Sequence, residues 1–295
     1  MKNTLPNTKC VHLACERLNI KHRFYDDNDN FVVVYLDKPY FFVNCSTPFN
    51  DDGTHKISKD KEFSYRLLKD HIAMPKTIGF FDPEPISDDN RIYTKQTDIK
   101  EISQEILKNF SLPVIVKMNS GSQGKNVFLC NSEAEVSGAL KKIYSKESPL
   151  YDYVALAQDY IKIKREYRVI VFEREILLSY EKDISSARFS GNLSPLHYEN
   201  AKAVYVDDRA LISKIADFIR PMFDVFDVQF AGLDIVLDEN DKMFLLETNV
   251  HPSFSYFVKD NGEEKLIDMY EKILRKMVLV HGNGRDSLIK SAGNG

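Results

Sequence analysis

A chain of 295 residues, 43% hydrophobic and 28% charged, has material for two or three packed units and the composition of a soluble globular protein. Its formal net charge of -4 argues against nucleic-acid binding driven by bulk positive charge. The longest strongly apolar run, Phe31 to Leu36, is far short of a membrane span, and MKNTLPNTKC has no hydrophobic secretory core, so a cytoplasmic location is expected.

Four cysteines (Cys10, Cys15, Cys45, Cys130) are scattered without a CxxC, so reduced thiols and no zinc site are expected. The histidines form no HExxH, and no GxSxG points to serine hydrolase chemistry.

Residues 1–57 read as a small N-terminal α/β unit, with a short helix over Cys10–Leu18 and a hairpin of Phe31–Tyr35 and Tyr40–Val43. A central helix–strand segment, 58–110, follows. Ser58 is the expected N-cap of a helix carrying Phe63, Leu67, Leu68 and Ile72 on one stripe and ending at Met74-Pro75. Lys59 and Lys61 stand at its start, where the helix dipole disfavours cations. An anion nearby would explain them; so would ordinary solvation. Thr77–Phe81 reads as a strand, 82–97 as a loop, and Asp98–Phe110 as a helix.

The next unit, 111–158, opens with a buried-type strand, Leu112–Lys117. Asn119-Ser120-Gly121-Ser122-Gln123-Gly124-Lys125 follows directly, before the strand Val127–Leu129. Such a loop can wrap phosphates with its N–H groups, although most glycine loops between strands are plain turns, and the Walker pattern is absent. A lysine ending an apolar strand needs a partner when buried, and a phosphate would serve. Ser132 caps a helix to Ile143, Tyr153–Leu156 is a strand, and Gln158-Asp159-Tyr160-Ile161 reads as a linker.

The last large unit, 159–281, holds strands Val169–Phe172 and Ile176–Tyr180, then an irregular stretch, Asp183–Asn200, carrying Arg188, Asn192 and His197. Asp207–Met222 is an amphipathic helix, and 264–279 the last one; 282–295 reads as a flexible tail. Between those helices lies GLDIVLDENDKMFLLETNVHPS, Gly232 to Ser253, with the turn Glu239–Lys242. If those four residues form the loop, Asp238 pairs with Met243 and Asp234 faces Glu247, with Asn249 on the same side. A loop one residue longer or shorter would break that pairing. Facing carboxylates on apolar strands ask for a cation, and two carboxylates with an amide oxygen suit Mg²⁺. A surface hairpin with ordinary charges is the plainer reading of the same residues.

Taken in order, Lys61, Lys117 with GSQG, AQDYI, EYRVIVF and GLDIV…LLETNVHPSF resemble the ATP-grasp superfamily, close to RimK-type ligases, cyanophycin synthetase and glutathione synthetases. The resemblance covers roughly residues 55–260. It implies a mixed α/β (α+β) fold in which two α+β subdomains grip ATP: a lid over 111–158 and a metal-bearing subdomain over 159–281, beside the small N-terminal domain. It also implies roles. Lys61 and Lys117 contact ATP phosphates, and Ser120, Gly121, Ser122, Gln123 and Gly124 cover them. The backbone of Gln158, Asp159, Tyr160 and Ile161 faces adenine, with Glu166 in the D-x-R position. Arg168 lies near the transferred phosphate or acyl group, with Arg188 and Asn192 at the acceptor side. Asp234, Glu247 and Asn249 hold Mg²⁺, with Mn²⁺ as a substitute.

Three departures stand out. Phe189-Ser190-Gly191-Asn192 replaces an F-R-S-N-like segment, Glu166 replaces the Asp of D-x-R, and Val250-His251-Pro252-Ser253 follows the metal-binding Asn. They put the acceptor's identity in doubt, not the ATP site. The implied activity is amide-bond formation between a carboxylate and an amine, on an amino acid or peptide, through an acyl-phosphate. A small-molecule kinase using Lys162, Lys164, Arg165 and Arg188, and a non-catalytic ATP-binding protein, are the alternatives. Neither nucleic acid nor membrane is expected as a partner. The short N-terminal unit leaves a homodimer or a carrier peptide open as the completion of the acceptor site.

Overall fold

The computed structural model describes the backbone of residues 4–291 and the side chains of residues 4–279. In chain order the elements are α1 (Pro6–Leu18), β1 (His22–Phe24), β2 (Phe31–Tyr35), β3 (Pro39–Val43), α2 (Asp52–Lys59), α3 (Lys61–Leu68) and β4 (Thr77–Phe81). Then come α4 (Ile99–Asn109), β5 (Val114–Met118), β6 (Val127–Cys130), α5 (Glu133–Ile143), β7 (Val154–Asp159), β8 (Ile163–Phe172) and β9 (Glu175–Asp183). The rest are β10 (Lys202–Tyr205), α6 (Arg209–Ile219), β11 (Phe230–Asp238), β12 (Met243–Asn249), α7 (Ser255–Asn261) and α8 (Glu264–Ser291).

The strands form three antiparallel sheets: β1-β2-β3, β4-β7-β5-β6 and β10-β9-β8-β11-β12. Three buried cores hold them. The four-stranded sheet packs on α4 and α5 through Ile102, Ile106, Val116, Leu140 and Ile143. One face of the five-stranded sheet buries Val169, Val171, Leu233 and Leu245 with Ile215 and Ile219 of α6. Part of its other face buries Ile170, Phe172 and Phe230 with α7, α8, α1 and the small N-terminal sheet. The N-terminal unit thus shares its core with the C-terminal helices, tied by Lys9–Glu263 at 2.6 Å and by Asn7 donating to the Pro252 carbonyl at 2.9 Å.

Several elements differ from the sequence reading, and the reasons are local. Ser58 is not an N-cap: it is buried at the end of α2 and donates to the Thr248 carbonyl at 2.6 Å. Asp60 caps α3 instead, accepting from Phe63 N at 2.9 Å, so the expected helix starts two residues later, and a separate short helix, α2, precedes it. Helix α3 ends at Leu68, before the Met74-Pro75 stop. Gln158 and Asp159 lie in β7 rather than in a linker, and β10 and α2 are not among the expected elements. Helix α8 is assigned to Ser291, past the start of the expected tail, and residues 292–295 lie outside the described residues.

Candidate active site

The decisive register is that of β11 and β12. Leu237, not Asp238, pairs with Met243. Asp238 leaves the ladder because its carboxylate accepts from Asn240 N at 2.8 Å and Lys242 N at 2.9 Å, building the turn with its own side chain. That one-residue error is cancelled by a bulge at Leu246, and Asp234 faces Glu247 after all, with Asn249 opposite Gly232. Since antiparallel partners share a face, Glu166 and Arg168 of β8, Lys182 of β9, Asp234 of β11, and Glu247 and Asn249 of β12 stand on one side of the sheet. Leu246, left over by the bulge, is half-buried and joins none of the three cores.

The cation that two facing carboxylates demanded is in part supplied by the chain itself. Arg168 grips Asp234 through two nitrogens, Nη2 to Oδ2 at 2.8 Å and Nε to Oδ1. Lys182 Nζ lies 2.5 Å from Glu166 and 2.9 Å from Asp234. Burial opposes ionisation of Asp234, but Arg168 and Lys182 outweigh it and hold the carboxyl at about 2. Burial pushes Glu166 up despite the Lys182 charge. Two acids and two bases make a neutral buried set, which is why the sheet tolerates them. Arg168, expected beside the transferred phosphate, is therefore committed to Asp234, and Glu166, expected among the nucleotide contacts, to Lys182. Gly232 makes room: a Cβ there would lie 2.8 Å from Arg168 Cδ.

Lys182 was missed in the sequence. The signal existed, since Glu166 and Asp234 on apolar strands require two cations and Arg168 supplies one. Finding it required knowing that β9 lies beside β8.

Above this face stand α3 and the glycine loop. Lys61, the first residue of α3, donates to the Gly121 carbonyl at 2.5 Å and the Asn119 carbonyl at 3.3 Å, and lies 3.8 Å from Glu247 Oε1. Lys117, on β5, is buried and donates to Gln158 Oε1 at 2.9 Å. Gln158 in turn donates to Thr77 Oγ1 at 2.8 Å. Among the described residues no carboxylate reaches ion-pair distance of Lys117. Burial first, and the Lys61 charge second, pull its ammonium down to about 8. A cation held there beside another cation gains from an anion.

Ser120 fixes the start of the loop by donating its N–H and hydroxyl to Asp152 Oδ2, both at 2.8 Å. At the loop's far end Asn192 Nδ2 donates to the Gln123 carbonyl at 2.9 Å, so the loop and the 183–200 segment touch. Gly124, at φ +69°, is what permits this: a Cβ there would lie 1.9 Å from Asn192 Oδ1. Gly124→Ala is expected to cost roughly 1 kcal/mol in backbone strain and to detach the loop from Asn192. The check is limited proteolysis, which should cut within 119–126 faster than in the parent protein at an unchanged core melting temperature.

The structure thus brings together Lys61, Lys117, Gln158, the glycine loop, Glu247 and Asp234, and joins Asn192 to the loop. It does not bring in Arg188. That residue is exposed, and its backbone pairs with Glu199 at 2.9 and 3.0 Å. Gln158 and Asp159 spend their backbone groups in the sheet, leaving Tyr160 and Ile161 as the expected hinge residues outside a strand.

The donor set fits a hard divalent cation. Glu247 is one-third exposed, with only the 3.8 Å approach of Lys61 against it. Asn249 Oδ1 accepts from His251 N at 2.8 Å and keeps a second lone pair. Asp234 takes three hydrogen bonds on two oxygens and has room for one more contact. All three are oxygen ligands, as Mg²⁺ or Mn²⁺ requires.

Comparison with other proteins identifies the fold that carries these residues. Residues 59–277 match the RimK-like ATP-grasp domain, and the chain belongs to that family. The D-alanine–D-alanine ligase of Bacillus anthracis aligns with a TM-score of 0.53 at 18% identity, over 78% of this chain and 72% of that one. The same enzyme complexed with ATP gives 0.50 at 17%, over 76% and 69%. The D-alanine–D-alanine ligase of Coxiella burnetii gives 0.50 at 16%, over 81% of this chain and 63% of that one, so the chain spans less than two-thirds of that enzyme's length. At such identities the likeness is one of fold. No curated protein matches the sequence.

Proposed function

We propose that this protein is an ATP- and Mg²⁺-dependent carboxylate–amine ligase that forms an amide bond on an amino acid or peptide. The observation that carries the proposal is the convergence of Lys61 and Lys117 with Glu247, Asp234 and Asn249. Two cations and three oxygen ligands suit a nucleotide polyphosphate with its metal. In the proposed reaction the substrate carboxylate attacks the γ-phosphorus of ATP, giving an acyl-phosphate and ADP. An amine then attacks the acyl carbon and expels phosphate. Attack of an anion on a polyphosphate is opposed by charge, and positioned lysines counter it. Mg²⁺ held by Asp234, Glu247 and Asn249 would neutralise phosphate charge. The glycine loop, tied down at Ser120 and Asn192, would keep water from the acyl-phosphate. Exposed Arg188 is free to meet a substrate in the acceptor loop. The absence of a nucleophile motif agrees with a route needing no covalent enzyme intermediate. Among the described residues no helix is long and apolar enough to cross a membrane, and the four cysteines are free; a cytoplasmic setting accords with both.

The test is incubation with ATP, Mg²⁺ and a panel of amino acids and peptides, following phosphate release and product mass. ADP, phosphate and an amide product are expected. A phosphorylated small molecule would overturn the ligase reading, and ATP binding without turnover on the panel would favour a binding protein. Of the four basic residues the kinase alternative would use, Lys162 pairs with Glu239 and Lys164 with Asp241, both at 2.7 Å, Arg165 lies 3.7 Å from Glu181, and Arg188 is exposed, which gives the kinase reading less support than the ligase reading.

Lys117 makes the nucleotide reading pH-dependent. Its depressed value, about 8, means the ammonium needed for a phosphate is lost as pH rises through 8 in the free protein. ATP affinity by calorimetry should be steady from pH 6.5 to 7.5 and fall above about 8. Lys117→Met should bind more weakly and lose that limb.

A further inference from the structure

Helix α1 and strand β1 gather three side chains with metal-ligand chemistry, apart from the sheet face described above. His12 and Glu16 stand four residues apart on α1, so they share one face of the helix. His22 opens β1 just beyond the helix end. One ligand atom from each of the three lies within 4.8 Å of the others. His12 Nδ1 and His22 Nε2 approach to 2.6 Å, and Glu16 Oε1 lies 3.5 Å from His22 Nε2.

The protons can be assigned from the partners. His22 Nδ1 is 2.9 Å from the Ile20 carbonyl oxygen, which can only accept, so Nδ1 carries the hydrogen and Nε2 presents a lone pair. Metal-binding histidines are oriented by the same kind of outer hydrogen bond to a carbonyl. His12 Nδ1 then donates to that lone pair when no ion is bound. Burial first, and the neighbouring His22 second, hold His12 below its ordinary pKa, which favours the neutral ligand form. Glu16 is 61% exposed and free to swing, whereas His22 is held at 10%. The Phe24 ring, 5.2 Å from His12, walls one side.

We propose that His12, Glu16 and His22 bind one divalent transition-metal ion of the Zn²⁺ type, clipping α1 to β1. Two imidazoles and a carboxylate suit Zn²⁺, Ni²⁺ or Cu²⁺ rather than Mg²⁺. On binding, the His12 proton moves from Nδ1 to Nε2, and both ring nitrogens turn toward the ion. Their separation must grow from 2.6 Å to about 3.3 Å, the spacing of two nitrogens bound tetrahedrally at about 2.05 Å. Three protein ligands leave a fourth position for water or a further ligand. No cysteine takes part: Cys10 and Cys15, on the same helix, are buried in the core that α1 shares with α8, and burial pushes both thiols up to about 12. This is how a metal site coexists with a cysteine pattern that argues against zinc.

The test uses the full chain, stripped with a chelator and titrated with Zn²⁺ by calorimetry without nucleotide. One ion per chain is expected, with a melting temperature that rises with Zn²⁺ concentration. His12→Gln and Glu16→Gln should each weaken it at least about tenfold, while Glu247→Gln leaves it unchanged. Glu16, being exposed, can be changed without risk to folding. X-ray absorption of the Zn²⁺-loaded parent protein reads the ligands directly, and imidazole with oxygen is expected. Sulfur in the coordination shell, undiminished binding in His12→Gln and Glu16→Gln, loss of binding in Glu247→Gln, or no stoichiometric binding at all would each overturn the proposal.

Discussion

Glu247→Gln is expected to lower ligase turnover by at least about 10²-fold, the scale seen when one preorganised electrostatic contact to the transition state is removed. The substitution keeps the shape of the side chain and removes its charge. Glu247 is one-third exposed and, among the described residues, reaches ion-pair distance only with Lys61, 3.8 Å away, so the fold should lose little. The two outcomes separate cleanly. Turnover is read from phosphate release with saturating ATP and Mg²⁺, and folding from the urea midpoint. Equal activity in variant and parent would show that Glu247 holds no metal, and the proposed site would fail. Because Asp234 is already engaged by Arg168 and Lys182, Glu247 and Asn249 carry most of the capacity for a new cation in this site. Asn249→Ala should therefore also raise the Mg²⁺ concentration needed for half-maximal activity.

Lys182→Met is expected to destabilise the protein by about 3–5 kcal/mol at pH 7, as for a buried ion set that loses one partner. Lys182 is almost fully buried and serves both Glu166 and Asp234, so the variant leaves Arg168 alone with two carboxylates. The pH dependence carries a definite sign. Asp234 is held at about 2, below its ordinary 3.8, so it contributes stability that is fully present above about 3.8 and is lost as pH falls through about 2. Glu166, pushed up by burial, works in the opposite sense and favours the folded state when protonated. Both carboxyls lose their charge in acid, and with it their need for Lys182. The stability gap between variant and parent should thus be full at pH 7 and narrow below about pH 4, measured by urea unfolding at each pH. A gap that stays constant would mean that Lys182 acts through packing alone.

The hairpin at Gly232–Ser253 shows what kind of error a linear reading makes. Asp234 opposite Glu247 was predicted from a four-residue loop, and that loop is not the one that forms. Asp238 turns inward on Asn240 and Lys242 and shifts the register by one; the bulge at Leu246 shifts it back. Two local deviations cancel because the face of the sheet is set by what it must pack against. A lasting slip of β12 would move Glu247 and Asn249, away from Asp234, to the face that buries Leu233 and Leu245.

Local chemistry lies in neighbouring residues, and it is there that the sequence speaks for itself. Asp98 and Ser132 were legible as caps or helix starts, and both side chains accept from the third residue on. The strands β2, β4, β5, β11 and β12, the glycine loop, and the oxygen-donor set at Asp234, Glu247 and Asn249 were legible from alternation, glycine spacing and charge on apolar runs. So was the membership in a family built on that order of motifs. What only the tertiary structure decided are the pairings between distant residues: Lys182 with Glu166 and Asp234, Asp152 with Ser120, Asn192 with Gln123, and Gln158 with Lys117. The Lys117 and Gln158 partners are 41 residues apart, and the pair exists because β5 and β7 are adjacent in one sheet. Periodicity along a strand tells which side a residue faces, but not which strand lies next to it, and the charge balance of this site is settled by that neighbour.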